Sequence, residues 1–409
     1  MRFPAGFLWG AATAAHQVEG GNTNCDSWLL EHVPGTIYSE PSGDACDHYH
    51  RYAEDIALLA ALGFNAYRFS IEWARIEPVE GEFSLAQLEH YRRMLAACHV
   101  HGIKPVVTMH HFTSPLWIAA RGGWESSETA RFFARYCERV VEHLGDLISV
   151  ACTINEANLA AALRQWGFLH TDEAILAYGW RAAAATMMGV EPENFSSFPF
   201  CVRSKSRRVL LEAHRRGAEA LRAGPHRFPV GMTIALTDLQ AVSGAEEIRD
   251  RLRHESEDIF LEAARDDDFL GVQCYTRQRV GPLGLLPPEQ EAEFTQMGYE
   301  FAPDALEATI RYAAVKAQVP LIVTENGIAT DDDSQRMVFV ERALAGVGRC
   351  VGDGIDVSGY FYWSMLDNFE WLFGYGPKFG LIAVDRKTQR RTVKPSAEWL
   401  GRIARNNEI

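Results

Sequence analysis

No two of the eight cysteines in this 409-residue chain form a C-x-x-C pair. They occupy positions 25, 46, 98, 137, 152, 201, 274 and 350, and Cys98, Cys137 and Cys152 fall inside apolar helix or strand patterns. No metal-binding spacing of Cys and His is recognisable, and the pattern fits small buried hydrophobes in a reducing compartment. Positive charge is in short supply: 40 Lys plus Arg against 54 Asp plus Glu, a formal charge of −14. That balance argues against a nucleic-acid partner and suits a neutral ligand. No apolar run approaches the ~18 residues of a membrane span. The opening stretch is broken by Pro4 and Gly6 and soon meets His16, Gln17 and Glu19, which makes a poor signal peptide. A cytoplasmic location without membrane contact is expected. Linkers, low-complexity stretches and short-period repeats are missing too, so one domain is expected over residues 1–409. With 47% hydrophobic residues, the chain can bury a large core.

What the chain does have is a long alternation. Strand-like runs occur at Phe7–Thr13, Ala66–Trp73, Lys104–His111, Ser149–Asn155, Val230–Thr237, Phe269–Thr276, Pro320–Glu325 and Val357–Ser364. Their interiors are nearly continuous apolar stretches, as in strands covered on both faces. Amphipathic stretches lie between them, at Tyr52–Leu62, Leu85–His101, Ser127–Leu144, Ser204–Arg222, Pro303–Gln318 and Ser334–Asp353. Alternation of this kind predicts an α/β fold, a single-domain (β/α)8 TIM barrel. Two segments, Gly189–Arg203 and Arg279–Pro303, read as long loops. Loops that follow barrel strands line the active-site face, so both are expected to wall a cleft.

Two carboxylates stand at the tips of such runs. Glu156 follows Asn155 at the end of the fourth strand, and Glu325 precedes Asn326-Gly327 at the end of the seventh. A carboxylate is costly to bury unpaired, so one at a strand tip is placed to meet a ligand. Two facing one site are the equipment for cleaving a glycosidic bond. Other polar residues share this address: Gln17 after the first strand, Arg68 in the second, His111 ending the third, Tyr275 ending the sixth and Trp363 ending the eighth. Taken singly, Arg68 reads as a structural ion-pair partner and His111, beside His110, as a satisfied core histidine. Together they read as a catalytic face. Near the C-terminus, Trp363, Asp367, Glu370, Trp371 and Tyr375 interleave aromatics with acids. Such a mixture suits a sugar, whose CH faces lie on indole while its hydroxyls bond carboxylates and amides.

These motifs resemble glycoside hydrolase family 1, the β-glucosidase-like retaining β-glycosidases, over nearly the whole chain. The resemblance rests on Phe7-Leu8-Trp9-Gly10 with Gln17-Val18-Glu19-Gly20, and on Tyr67-Arg68-Phe69-Ser70-Ile71-Glu72-Trp73. It continues through Asn155-Glu156, Thr324-Glu325-Asn326-Gly327 and Trp363-Ser364 with Asp367-Asn368-Phe369-Glu370-Trp371. It implies that Glu156 is the general acid/base and Glu325 the nucleophile. By the same likeness Gln17, His111, Asn155, Glu370 and Trp371 bind the hydroxyls of the terminal sugar. Trp363 is its platform and Phe379 an aromatic wall. Tyr275 bonds to the nucleophile and Arg68 is its basic neighbour. No cofactor or metal is implied. Ala157 stands where the family usually has Pro, Phe112 where Trp usually follows the histidine, and Gln273-Cys274 depart near the nucleophile.

In a retaining enzyme the two carboxyls sit ~5–5.5 Å apart. At an effective dielectric of ~20 their charges would repel by roughly 3 kcal/mol, or roughly 2 pKa units, so one should stay protonated. The expected reaction is hydrolysis of a terminal β-D-glucoside, with galactosides and fucosides also accepted. The alternatives are a transglycosylase using the same glutamates, a non-catalytic sugar-binding protein, and a 6-phosphoglycosidase. The last usually carries Ser where this chain has Glu370.

Overall fold

The computed structural model describes residues 1–167, 178–201 and 204–409. Eight parallel strands close in chain order: β1 (Leu8–Ala12), β2 (Ala66–Ser70), β3 (Lys104–His110), β4 (Val150–Ile154), β5 (Val230–Ala235), β6 (Phe269–Gln273), β7 (Leu321–Asn326) and β8 (Val357–Trp363). The ring is sealed where β1 pairs with β8, Leu8 opposite Gly359 and Ala12 opposite Trp363. All eight expected strands are therefore in the barrel. Several end earlier than their apolar runs. The run read as continuing to Trp73 leaves the ladder at Ser70, because the Glu72 carboxylate caps the Ala74 N–H at 3.2 Å and opens the short helix Trp73–Ile76.

The outer ring consists of α1 (His48–Leu62), α2 (Leu85–Val100), α3 (Thr129–Leu144), α4 (Ser204–Ala223), α5 (Glu246–Arg253), α6 (Ala305–Ala317), α7 (Asp333–Gly352) and α8 (Pro395–Asn406). Two of these, α5 and α8, lie outside the expected helices. α5 is eight residues long and buries none of them fully, so its apolar stripe is reduced to the pair Ile248 and Leu252. It runs through a π-helical turn, His254–Asp258, into Ile259–Ala263. α8 begins with Pro395 at its first turn, where a missing N–H costs nothing.

Side chains alternate between the barrel interior and the helix layer. Leu8, Val106, Val150, Phe269, Ile322 and Phe361 pack together inside, while Trp9, Tyr67, Phe69, Val107 and Val323 pack toward the helices. Burial of such side chains is worth about 1.5–3 kcal/mol each. All eight cysteines are buried and free, as expected of small hydrophobes. Near its C-terminal end β7 changes register, between Val323 and Glu325 against β6 and between Val323 and Asn326 against β8. Irregularities of this kind re-aim side chains next to sites, and here Glu325 is brought to the top of the barrel. Gly327 follows because a Cβ there would lie 2.0 Å from the Trp363 carbonyl oxygen.

The two long segments differ from plain loops. Arg277–Gly281 is a strand, paired in parallel with Asp238–Ala241 and antiparallel with Gly284–Leu285. The Gly189–Arg203 segment contains the single turns Pro192–Asn194 and Phe198–Phe200, and its end, residues 202 and 203, lies outside the described residues. Among the described residues no helix is long and apolar enough to cross a membrane.

Candidate active site

A cavity of about 290 Å³ opens at the C-terminal ends of the strands. Glu156, Glu325, Glu370, His111, Tyr275, Trp363, Trp371 and Phe379 all line it. Gln17, Asn155 and Arg68 lie one layer beneath, each 0% exposed, bonded to the residues above. Pro199–Phe200 and Met297–Tyr299 from the two long segments supply part of the wall.

Glu325 is held at both oxygens. Arg68 Nη1 donates to Oε1 at 2.6 Å and the Tyr275 hydroxyl donates to Oε2 at 2.6 Å. The other arm of the Arg68 guanidinium donates to Asn155 Oδ1. That oxygen also accepts from Gln273 Nε2 at 2.8 Å and Thr233 Oγ1 at 3.1 Å. Gln273, one of the departures, thus serves the network beneath the nucleophile candidate, while Cys274 points its sulfur away, toward the Thr276 carbonyl. Burial raises the Glu325 titration, and the Arg68 charge and the Tyr275 hydroxyl oppose that rise. A buried Arg–Glu pair contributes little net stability, but losing one partner costs about 3–5 kcal/mol.

Glu156 is built differently. Its carboxyl is pushed well above the usual range, by burial first and by the Glu325 charge second. Its backbone sits at φ 44°, in the left-handed region that non-glycine residues rarely occupy. Strain of that kind, about 1–3 kcal/mol, persists only where neighbours enforce it. Here the Glu156 N–H bonds Thr233 Oγ1 at 3.1 Å and the Ala157 N–H bonds the Thr233 carbonyl at 3.2 Å. The second bond is one that a proline at Ala157 would lack. Asn158, 1% exposed, then clamps the turn: its Nδ2 donates to Ala235 O (2.7 Å) and Ser256 O (3.0 Å), and its Oδ1 accepts from the Ala235 N–H (2.9 Å). Asn158 and Thr233 were not among the expected site residues.

On the opposite side, Gln17 Nε2 donates to Phe369 O at 2.7 Å and to Glu370 Oε2 at 3.2 Å, while its buried Oε1 has no protein partner. Burial, then the Glu325 charge, pushes Glu370 up to about 8. Its neutral form, which can both donate and accept, is therefore favoured relative to an exposed glutamate. His111 is held well below its ordinary value by burial and the Arg68 charge. Its Nε2 faces the Asn155 amide nitrogen at 3.2 Å. Asn155 Oδ1 is already committed, so the amide donates and the imidazole proton sits on Nδ1, buried and without a partner. Orphaned groups at a cavity edge await a ligand's hydroxyls.

Aromatic rings shape the remainder. Trp363 and Trp371 both stack on His111, at 5.7 and 6.3 Å between centroids. Trp371, at φ 47°, also stacks on His16 at 5.7 Å, and His16 bonds Glu31 at 2.7 Å behind it. Phe379 meets Tyr275 edge-on at 6.0 Å, its carbonyl pinned by Arg336 at 3.0 Å. Phe112, at φ 70°, packs on Trp371 and Phe198. Left-handed backbone at Phe112, Glu156 and Trp371 leaves no mark in residue type.

A barrel with two carboxyls at one cavity, one bonded by a guanidinium and a phenol and the other with its ionisation disfavoured, fits the architecture of a glycoside hydrolase. The model of glycosyl hydrolase family 1 matches residues 1–175 and 254–409. The thermostable beta-glucosidase B of Thermobispora bispora is 35% identical over all of this chain and 92% of its own length. The bifunctional beta-D-glucosidase/beta-D-fucosidase of Bifidobacterium breve is 31% identical over 98% of each chain. The crystal structure of beta-glycosidase BGL167 is 55% identical and superposes with a TM-score of 0.97, over 100% of this chain and 98% of that one. This chain belongs to glycosyl hydrolase family 1.

Proposed function

We propose that this protein is a β-glucosidase that removes a nonreducing-terminal β-linked sugar with retention, Glu325 serving as nucleophile and Glu156 as acid/base. The observation that carries the assignment is the asymmetry of the two carboxyls. Glu325 has a guanidinium and a phenol on its oxygens, which favour the anion. Glu156 lies in the field of Glu325 with its own ionisation disfavoured. The two titrate as a coupled pair, one proton between them near neutrality.

In the first step a Glu325 oxygen attacks the anomeric carbon from below, and the bond to the leaving oxygen breaks as Glu156 gives it a proton. Forming the glycosyl ester removes the Glu325 charge. Glu156, now a carboxylate relieved of repulsion, takes a proton from water, which attacks the anomeric carbon and expels Glu325. General acid–base help of this kind is worth about 10²–10⁴-fold. Gln17 Oε1, His111 Nδ1 and Glu370 meet the sugar's hydroxyls, Gln17 and Glu370 at carbons 3, 4 and 6, and Trp363 supports its ring. No Lys or Arg is among the described residues lining the cavity, so a 6-phosphate would find no cation there, and an unphosphorylated sugar fits. The buried free cysteines suit the cytoplasm.

A panel of nitrophenyl glycosides tests the assignment. β-D-Glucoside should be turned over fastest, with β-galactoside and β-fucoside within about one to two orders of magnitude, since a lost hydroxyl contact costs about 1–3 kcal/mol. Turnover confined to α-glycosides or 6-phosphoglycosides would overturn it.

A further inference from the structure

The cavity has two chemically unlike ends. Hydroxyl-binding groups gather around Trp363, at Glu370 and at His111 beyond the end of β3. On the Glu156 side the described wall is apolar. The short helix Leu159–Gln165 begins three residues after Glu156, and Leu159 and Leu163 line the cavity together with Trp166, which ends it. Their i, i+4, i+7 spacing is one helical face. That face looks into the cavity. Leu236, immediately beyond the Ala235 that Asn158 clamps to the Glu156 turn, adjoins it, and Phe112 and Phe200 complete the wall. Among the described lining residues, Thr237, Thr276 and Gln278 add hydrogen-bonding groups beyond Leu236.

Because the acid must touch the leaving oxygen, the Glu156 side is where the leaving group lies. This step rests on the reading of Glu156 as acid. A second pyranose there would bury several hydroxyls against Leu, Phe and Trp, with few partners among the described residues to replace water. An alkyl or aryl group would bury only carbon. We propose that the leaving-group half of the site selects an apolar aglycone, alkyl or aryl, over a second sugar.

The test is a series of n-alkyl β-D-glucosides from methyl to octyl, kept below micelle-forming concentrations, with cellobiose alongside. Leaving-group acidity barely changes along the series, so the trend in kcat/KM reports binding of the chain. Each buried CH2 should raise kcat/KM by up to about fourfold until the wall is filled, and octyl glucoside should exceed cellobiose by more than about tenfold. In Leu163→Asn the gain per CH2 should shrink, judged against methyl glucoside with the same variant. A flat series in the wild-type enzyme, or cellobiose equal to or better than octyl glucoside, overturns the inference even if nitrophenyl glucoside is turned over. No turnover of any β-glucoside would overturn the catalytic reading beneath it as well.

Discussion

Replacing Asn158 by alanine should damage the acid without touching the nucleophile. The amide makes three bonds, at 2.7, 2.9 and 3.0 Å, to Ala235 O, Ala235 N–H and Ser256 O. Truncation leaves one buried N–H unsatisfied, at about 1–3 kcal/mol, with a smaller penalty for the two carbonyls. A second cavity lined by Asn158 and Ser256 lies alongside and can admit water, so the stability loss should stay near about 2 kcal/mol and the barrel should fold. The larger effect is on the turn that holds Glu156 at φ 44°. Without the clamp, the left-handed backbone is free to relax and the carboxyl drifts from the leaving oxygen, forfeiting part of the ~10²–10⁴-fold that acid help supplies. The assay is kcat/KM over aryl β-glucosides of graded leaving-group acidity. Phenyl glucoside should lose about 10–100-fold, whereas dinitrophenyl glucoside, which needs little protonation, should lose less than about threefold. An equal loss along the whole series would show general structural damage instead of displaced acid, and would refute the positioning role.

Two further outcomes follow from the same geometry. Tyr275→Phe removes the 2.6 Å donor to Glu325 Oε2, worth about 1.5–3 kcal/mol to the anion. Glu325 must be ionised to attack, and the hydroxyl lowers its titration; without it the acidic limb of the kcat/KM–pH profile should move to higher pH while the basic limb stays, and a stationary acidic limb would contradict the assignment. Glu156→Gln cannot lose a proton, so for phenyl glucoside the basic limb should vanish along with most of the rate; a basic limb that persists unchanged would identify some other group as the acid.

The barrel was legible because strands covered on both faces must be apolar throughout, and because functional groups interrupt them at one end. Val150–Ile154 followed by Asn155-Glu156, and Leu321–Thr324 followed by Glu325, show both signals at once. The helix α5 was not legible, since eight residues make little more than two turns, too short a window for its Ile248–Leu252 pair to stand out. In α8, by contrast, buried Ala397, Leu400, Ile403 and Ala404 do form a stripe. Within the site, the residues at strand tips could be placed by address. Asn158, Thr233 and His16 could not, because their work is done through partners distant in sequence: Asn158 on Ala235 and Ser256, Thr233 beneath the Glu156 turn, His16 behind Trp371. Gln17 and Asn155 are tied into the same network, Gln17 to Glu370 and Asn155 to His111.

The roles of the two glutamates are separable by the anomer that azide captures. With dinitrophenyl β-glucoside, Glu325→Gly lacks the nucleophile and leaves a hole in which azide can attack from the vacated face, giving the α-glucosyl azide. Glu156→Ala still forms the glycosyl ester on Glu325, and azide then enters from the opposite face, giving the β-glucosyl azide. NMR of the two products decides the matter: α from the first variant and β from the second is the expected result, and the same anomer from both, or undiminished hydrolysis in either, would contradict it.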